Sequence, residues 1–226
     1  MNRALFVLTV LLLVVTGVTG VPAGTAEAAQ AAESALGQER VRLHDAVRDL
    51  PVAREIRRGY DRDKFEHWVD ADDDCRDTRD EVLAQESRVA VTGCDVVRGE
   101  WFSYYDGEVV RRSSELDIDH VVALAEAWDS GARRWTAGTR ERFANDLGDR
   151  RSLVAVTASA NRSKSDRDPA EWMPERAGCR YVREWIAVKI RWSLTVDRTE
   201  KRALVRRASS CRNRYLTVRR AVVRTR

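Results

Sequence analysis

An α+β domain stapled by two disulfides is the fold that this sequence predicts, and three observations carry the prediction. Short β-branched and aromatic runs punctuated by glycine or turn residues, at 87–108, 116–124 and 153–157, are interspersed with segments of helical period. Late in the chain Tyr181, Trp185, Val188 and Trp192 recur at a spacing that lays one apolar stripe along a helix. Four cysteines, Cys75, Cys94, Cys179 and Cys211, form an even set behind a leader that directs export.

The leader comes first. Arg3 supplies a positive start, residues 4–15 are almost wholly apolar, and Ala26-Glu27-Ala28 offers a small-x-small cleavage site, so 1–28 is expected to be a signal peptide. The apolar run is shorter than the ~20 residues that span a bilayer, which disfavours a retained anchor. Charged residues make up 34% of the chain, which argues against a membrane protein beyond that segment. The protein is therefore expected to be secreted, with no membrane association after cleavage. Residues 29–40, rich in Ala and Glu, are expected as a linker, and 41–226 as one folded domain with a basic C-terminal tail.

Within 41–226 the elements follow in order. Helical content at 41–56 is broken by Pro51, and 78–83 is a further short helix. Valines and aromatics among Gly93, Gly99 and Gly107 mark a β-hairpin or small meander at 87–108. Two strands, at 116–124 and 153–157, bracket helices at 123–128 and 139–147. Asp168-Pro169 is read as the start of the striped helix, and Asp197 with Glu200 as a capping box opening the last one.

In an oxidising compartment the cysteines are expected to pair, and three connectivities are open. The local pairing, Cys75 with Cys94 and Cys179 with Cys211, closes two modest loops, each worth about 3 kcal/mol. A zinc site is disfavoured because no CxxC spacing occurs and no His lies close to a Cys. The formal net charge is +4, and 201–226 carries ten Lys and Arg with no acid. On charge alone that end is either a phosphate-gripping surface or a solvated helix face with a frayed tail.

Two clusters carry the chemistry: Leu116-Asp117-Ile118-Asp119-His120-Val121-Val122 and Asn161-Arg162-Ser163-Lys164-Ser165-Asp166. Phosphodiester hydrolysis needs a base to activate water and a cation to neutralise the phosphate. His120 has the pKa class of such a base. Asp119 offers a hard anionic oxygen and Asn161 a hard neutral one, a ligand set that suits Mg²⁺ or Mn²⁺. If 158–166 is helical, Asn161 and Lys164 share a face at i and i+3, delivering a metal ligand and a phosphate-facing ammonium together. A regular strand sends Asp119 and His120 to opposite faces, so both reach one phosphate only at a bend or across the strand edge. Asp117 is expected to steady a ligand, and Glu115 and Glu126 are assigned no role.

At these residues the chain resembles the HNH, or ββα-metal (His-Me finger), endonuclease superfamily. More narrowly, 117–128, Ser130-Gly131-Ala132, Phe143-Ala144-Asn145-Asp146-Leu147 and Asp166-Arg167-Asp168-Pro169-Ala170-Glu171-Trp172 look like secreted bacterial proteins related to the GmrSD restriction-endonuclease C-terminal domain. That similarity covers about residues 74–211. It implies a ββα-metal core embedded among helices, with His120 as general base, Asp119 and Asn161 as metal ligands and Lys164 on the phosphate. Two positions depart from the pattern. Ala123 stands where relatives often have Pro, and Ser152 where many carry the middle Asn that ties the active-site loop, a task for which Asn145 is a candidate.

The function implied is a secreted, metal-dependent endonuclease of little sequence specificity, monomeric, acting on DNA, with RNA left open. No residue marks a base-reading element. The alternative is a catalytically inactive nucleic-acid-binding protein on the same scaffold. An inhibitor or immunity partner stays undetermined.

Overall fold

Residues 37–226 are described in a computed structural model, and the expected signal peptide and most of the expected linker lie outside the described residues. The first strand, β1 (Gln38–Arg42), pairs antiparallel with the last, β6 (Tyr215–Arg219), from Gln38↔Arg219 to Arg42↔Tyr215. The basic C-terminal stretch is therefore neither a helix face nor a frayed tail over 215–219. Its residues alternate, with Leu216 and Val218 buried between exposed neighbours, a period of two that only a strand satisfies. The fold also begins inside the segment expected as linker, because β6 needs β1 as its partner.

Helix α1 (Leu43–Asp49) ends just before Pro51, as expected of a residue that cannot donate to the helix. Helix α2 (Thr78–Glu86) is capped by Asp77, whose side chain accepts from the Asp80 backbone N–H at 3.0 Å. The expected meander is reduced to one hairpin, β2 (Arg98–Phe102) with β3 (Val109–Arg112). Val89 and Val97, counted towards it, are exposed.

Strand β4 (Leu116–His120) pairs antiparallel with β5 (Leu153–Thr157), with Asp117 opposite Val156 and His120 opposite Leu153. Helices α3 (Leu124–Asp129) and α4 (Ala137–Ala144) fill the connection. From β5 the chain passes directly into α5 (Ala158–Lys164), which Thr157 caps by accepting from Ala160 N–H.

Helix α6 (Gly178–Arg191) starts later than expected. Asp168 spends its carboxylate on a local turn, accepting from the Ala170 N–H, so the segment after Pro169 does not continue as a helix. The stripe itself is as expected: Tyr181, Trp185, Val188 and Trp192 are all buried. Helix α7 (Arg198–Ser209) opens at Asp197, which accepts from Glu200 N–H at 2.6 Å. The reciprocal half of the capping box is absent. Glu200 turns inward, accepting from Trp185 Nε1 and from Lys189, whose buried ammonium also meets Glu126.

Both sides of the β4–β5 pair are covered. Leu116, Ile118, Leu153 and Ala155 pack against α2 and the hairpin, while Val154 and Val156 join the larger core built on α6. The Cys75–Cys94 and Cys179–Cys211 disulfides are both formed. Among the described residues no helix is long and apolar enough to cross a membrane.

Candidate active site

Strand alternation places Asp117 and Asp119 on the face of β4 that α5 covers, and His120 on the other. A cleft of about 370 Å³ is nevertheless bordered by Ile118, Asp119 and His120 together, and by Asn161 from α5. The chain bends at Val121–Val122 immediately after His120, and Ala123, Leu124 and Ala125 beyond the bend line the same cleft, so it lies at the end of β4 where residues of both faces can reach it.

His120 is 5% exposed, with its ring stacked between Trp68 (5.7 Å, 30°) and Phe143 (6.3 Å, 18°). Its Nε2 lies 2.8 Å from the backbone carbonyl of Ala144. A carbonyl only accepts, so Nε2 carries the proton and Nδ1 keeps its lone pair. Burial brings the imidazole pKa down to about 3, with the charge on Arg62 acting in the same direction and the Ala144 carbonyl opposing it. At neutral pH the ring is an uncharged acceptor.

The end of α4, which supplies Ala144, and the loop after it are held by two residues. Asn145 donates to the Glu66 and Glu141 carbonyls and accepts from Val69 N–H, anchoring the segment that carries Trp68. Ser152, in the place of the middle Asn, donates at 2.7 Å to Asp146, which also receives Arg191 and Trp192 Nε1.

Asp119 is also 5% exposed, and each of its oxygens has one donor: Lys164 Nζ at 2.8 Å from Oδ1 and the Tyr105 hydroxyl at 2.5 Å from Oδ2. Burial raises its pKa, with Lys164 and Tyr105 pulling the other way. Lys164 corrects the sequence expectation. Its ammonium is fully buried, bonded to Asp119 and to the His120 carbonyl, and it does not border the cleft. Asn161 and Lys164 do share a face of α5, as their spacing predicts, but that face is turned onto β4.

Asn161 donates from Nδ2 to Asp117 Oδ2 at 3.1 Å, and its Oδ1 accepts no hydrogen bond from the described residues. Asp117 is thus the hydrogen-bond partner of the Asn161 amide.

Residues 71–207, more than half of the sequence, match the family described as GmrSD restriction endonucleases, C-terminal domain. The chain belongs to this family. It is also 44% identical over 157 residues, 68% of this chain and 76% of the relative, to an uncharacterized secreted protein of Arthroderma benhamiae. No solved structure matches. Secretion, expected from the leader, agrees with the relative's description and with two disulfides.

The geometry of this GmrSD C-terminal-domain protein supplies residues that the sequence did not single out. Tyr105 and Trp68 come from segments other than β4 and meet Asp119 and His120 only in the fold. Arg62 and Arg162 line the cleft and are exposed, replacing Lys164 as cations in reach of an anion there. No lining residue lies beyond Asp166, so the basic 201–226 segment takes no part in this cleft.

The donor chemistry is of the kind that a divalent cation takes. Each Asp119 oxygen keeps a lone pair beyond its one hydrogen bond, Asn161 Oδ1 accepts no hydrogen bond from the described residues, and both residues border the cleft. Among the described residues three other carboxylate groups could also hold an ion, namely Glu55–Glu126–Glu200, Glu55–Asp168–Asp197 and Asp70–Asp72–Asp74, but none of these residues lines the cleft.

Proposed function

We propose that the protein is a secreted metal-dependent endonuclease with a ββα-metal core formed by β4, β5 and α5, cleaving DNA with little sequence preference. One observation carries this reading. Asp119 and His120 from β4 and Asn161 from α5 border a single cleft, and the Nε2 bond to the Ala144 carbonyl leaves Nδ1 of His120 as the acceptor.

In this mechanism Nδ1 of His120 takes a proton from water as the water oxygen bonds to phosphorus, and the bond from phosphorus to the departing sugar oxygen breaks. The Ala144 carbonyl holds the protonated Nε2 and fixes the tautomer. Trp68 and Phe143 keep the ring from rotating and exclude bulk water. Asp119 and Asn161 would hold Mg²⁺ or Mn²⁺, which supplies charge neutralisation on the phosphate when bound. Lys164 and Tyr105 position Asp119, and Asp117 positions Asn161. Arg62 and Arg162 face the phosphates, so activity is expected to weaken with added salt.

A second reading, an inactive nucleic-acid-binding protein, is favoured by the engagement of both Asp119 oxygens by internal donors. Plasmid nicking with Mg²⁺, with EDTA and with His120→Ala separates the two. Loss of nicking by about 10²–10⁴-fold in the variant, and its abolition by EDTA, supports the enzyme. Nicking that survives both refutes the mechanism, and no nicking by the native protein on single- or double-stranded DNA or RNA favours the binding protein.

A further inference from the structure

A second cavity, of about 460 Å³, shares no lining residue with the cleft. Five arginines, Arg151, Arg180, Arg183, Arg212 and Arg214, line it with one carboxylate, Glu184. Its wall includes the Cys179–Cys211 disulfide, which joins the start of α6 to the end of α7 and fixes the spacing of the arginines carried there.

The charges are unevenly committed. Arg151 is forked onto Asp149 at 2.8 and 2.6 Å, and Arg180 meets Glu184 at 2.7 Å. Glu184 also accepts from the Tyr104 hydroxyl. Arg212 and Arg214 make no side-chain hydrogen bond to the described residues. Arg183 donates Nη2 to the Tyr215 carbonyl at 3.2 Å, but its Nη1 is buried with no acceptor among the described residues. A buried guanidinium donor left without a partner is costly, and native folds rarely leave one so. Burial, then the nearby charges of Arg214 and Arg151, also hold the Arg183 pKa below the ordinary arginine range. Ala177, at the α6 N-cap, offers no side-chain acceptor, so the uncapped first turn at Cys179 adds positive potential at the rim.

We propose that this cavity binds a phosphate group, with the guanidinium groups of Arg183, Arg212 and Arg214 sharing its oxygens. Planar guanidinium forks match a tetrahedral oxyanion, and three uncompensated charges suit an anion of one or two negative charges. The phosphate could be free or part of a nucleic-acid backbone. The inference does not depend on cleavage at the other site.

Calorimetry on the disulfide-intact chain carrying His120→Ala, which removes cleavage from the measurement, tests it. Inorganic phosphate and a short oligothymidylate are titrated separately at matched ionic strength, into this protein and into versions with Arg183→Gln or with Arg212→Gln and Arg214→Gln together. Saturable binding that weakens about tenfold or more in the variants is expected. Weakening with both ligands identifies a backbone site, and weakening with inorganic phosphate alone identifies a free-anion site. Equal affinity in all versions, or no saturable binding of either ligand, overturns the proposal. So does binding of poly-glutamate at the same arginines where neither phosphate compound binds. The Arg212 and Arg214 pair is exposed, so it keeps the test open should Arg183→Gln fail to fold.

Discussion

The ammonium of Lys164 lies 2.8 Å from Oδ1 of Asp119, and neither side chain has more than marginal contact with solvent. Taking either charge out of water is expensive, and the pair survives because the Tyr105 hydroxyl and the His120 carbonyl satisfy the remaining groups. Lys164→Met leaves the Asp119 carboxylate buried beside Tyr105 alone. The expected loss is about 3–5 kcal/mol in a urea melt, with nuclease activity falling in parallel. A loss below about 1 kcal/mol with activity intact would show that Asp119 needs no counter-charge.

In the proposed mechanism Asp117 acts at one remove, through the hydrogen bond it accepts from Asn161. Its side chain is 32% exposed, so Asp117→Ala is expected to leave stability nearly unchanged. The Mg²⁺ concentration for half-maximal activity should rise by about 10–100-fold, with the rate at saturating Mg²⁺ largely kept. An unchanged metal requirement would remove Asp117 from the site.

Glu86, at the end of α2, accepts from the Ala155 N–H on β5 at 3.0 Å. Burial pushes its pKa from 4.5 up to about 7, against the effect of that hydrogen bond and of Arg180. A raised folded-state pKa means that the native state binds the proton more tightly than the unfolded chain does. The stabilisation is therefore complete below about pH 4.5 and is lost as pH rises through about 7. Glu86→Gln mimics the protonated form. Its Tm is expected to match the native protein's at pH 4.5 and to exceed it at pH 8 by about 2–4 °C for each kcal/mol recovered. A Tm difference that does not change with pH would contradict the assignment.

The Cys179–Cys211 disulfide closes a loop of 32 residues that contains none of the residues lining the cleft. Replacing both cysteines by serine is expected to cost about 3–4 kcal/mol by releasing the unfolded chain. Plasmid nicking at saturating plasmid, well below the new melting temperature, should be unaltered. A rate that falls while the circular dichroism spectrum stays native would link this loop to the cleft.

Local signals in the chain determined a good deal by themselves. The β-branched run ending at His120, the i, i+3 spacing of Asn161 and Lys164, the Tyr181–Trp192 stripe and the Asp197 cap all depend on neighbours in sequence, and all are present in the structure, while the disulfides are the local pairing among the three connectivities left open. The tertiary structure alone decided which way the charges point. Lys164 turns to Asp119, Glu200 leaves its cap for Lys189, and the basic C-terminus becomes β6, because each answers a partner 40 or more residues away or, for Glu200, one on another helix. Trp68, Tyr105 and Ala144 also meet Asp119 and His120 only through the fold, since each lies in a segment other than β4. A side chain's periodicity records the element it belongs to, whereas the desolvation and pairing of a charge depend on whatever the folded chain packs against it.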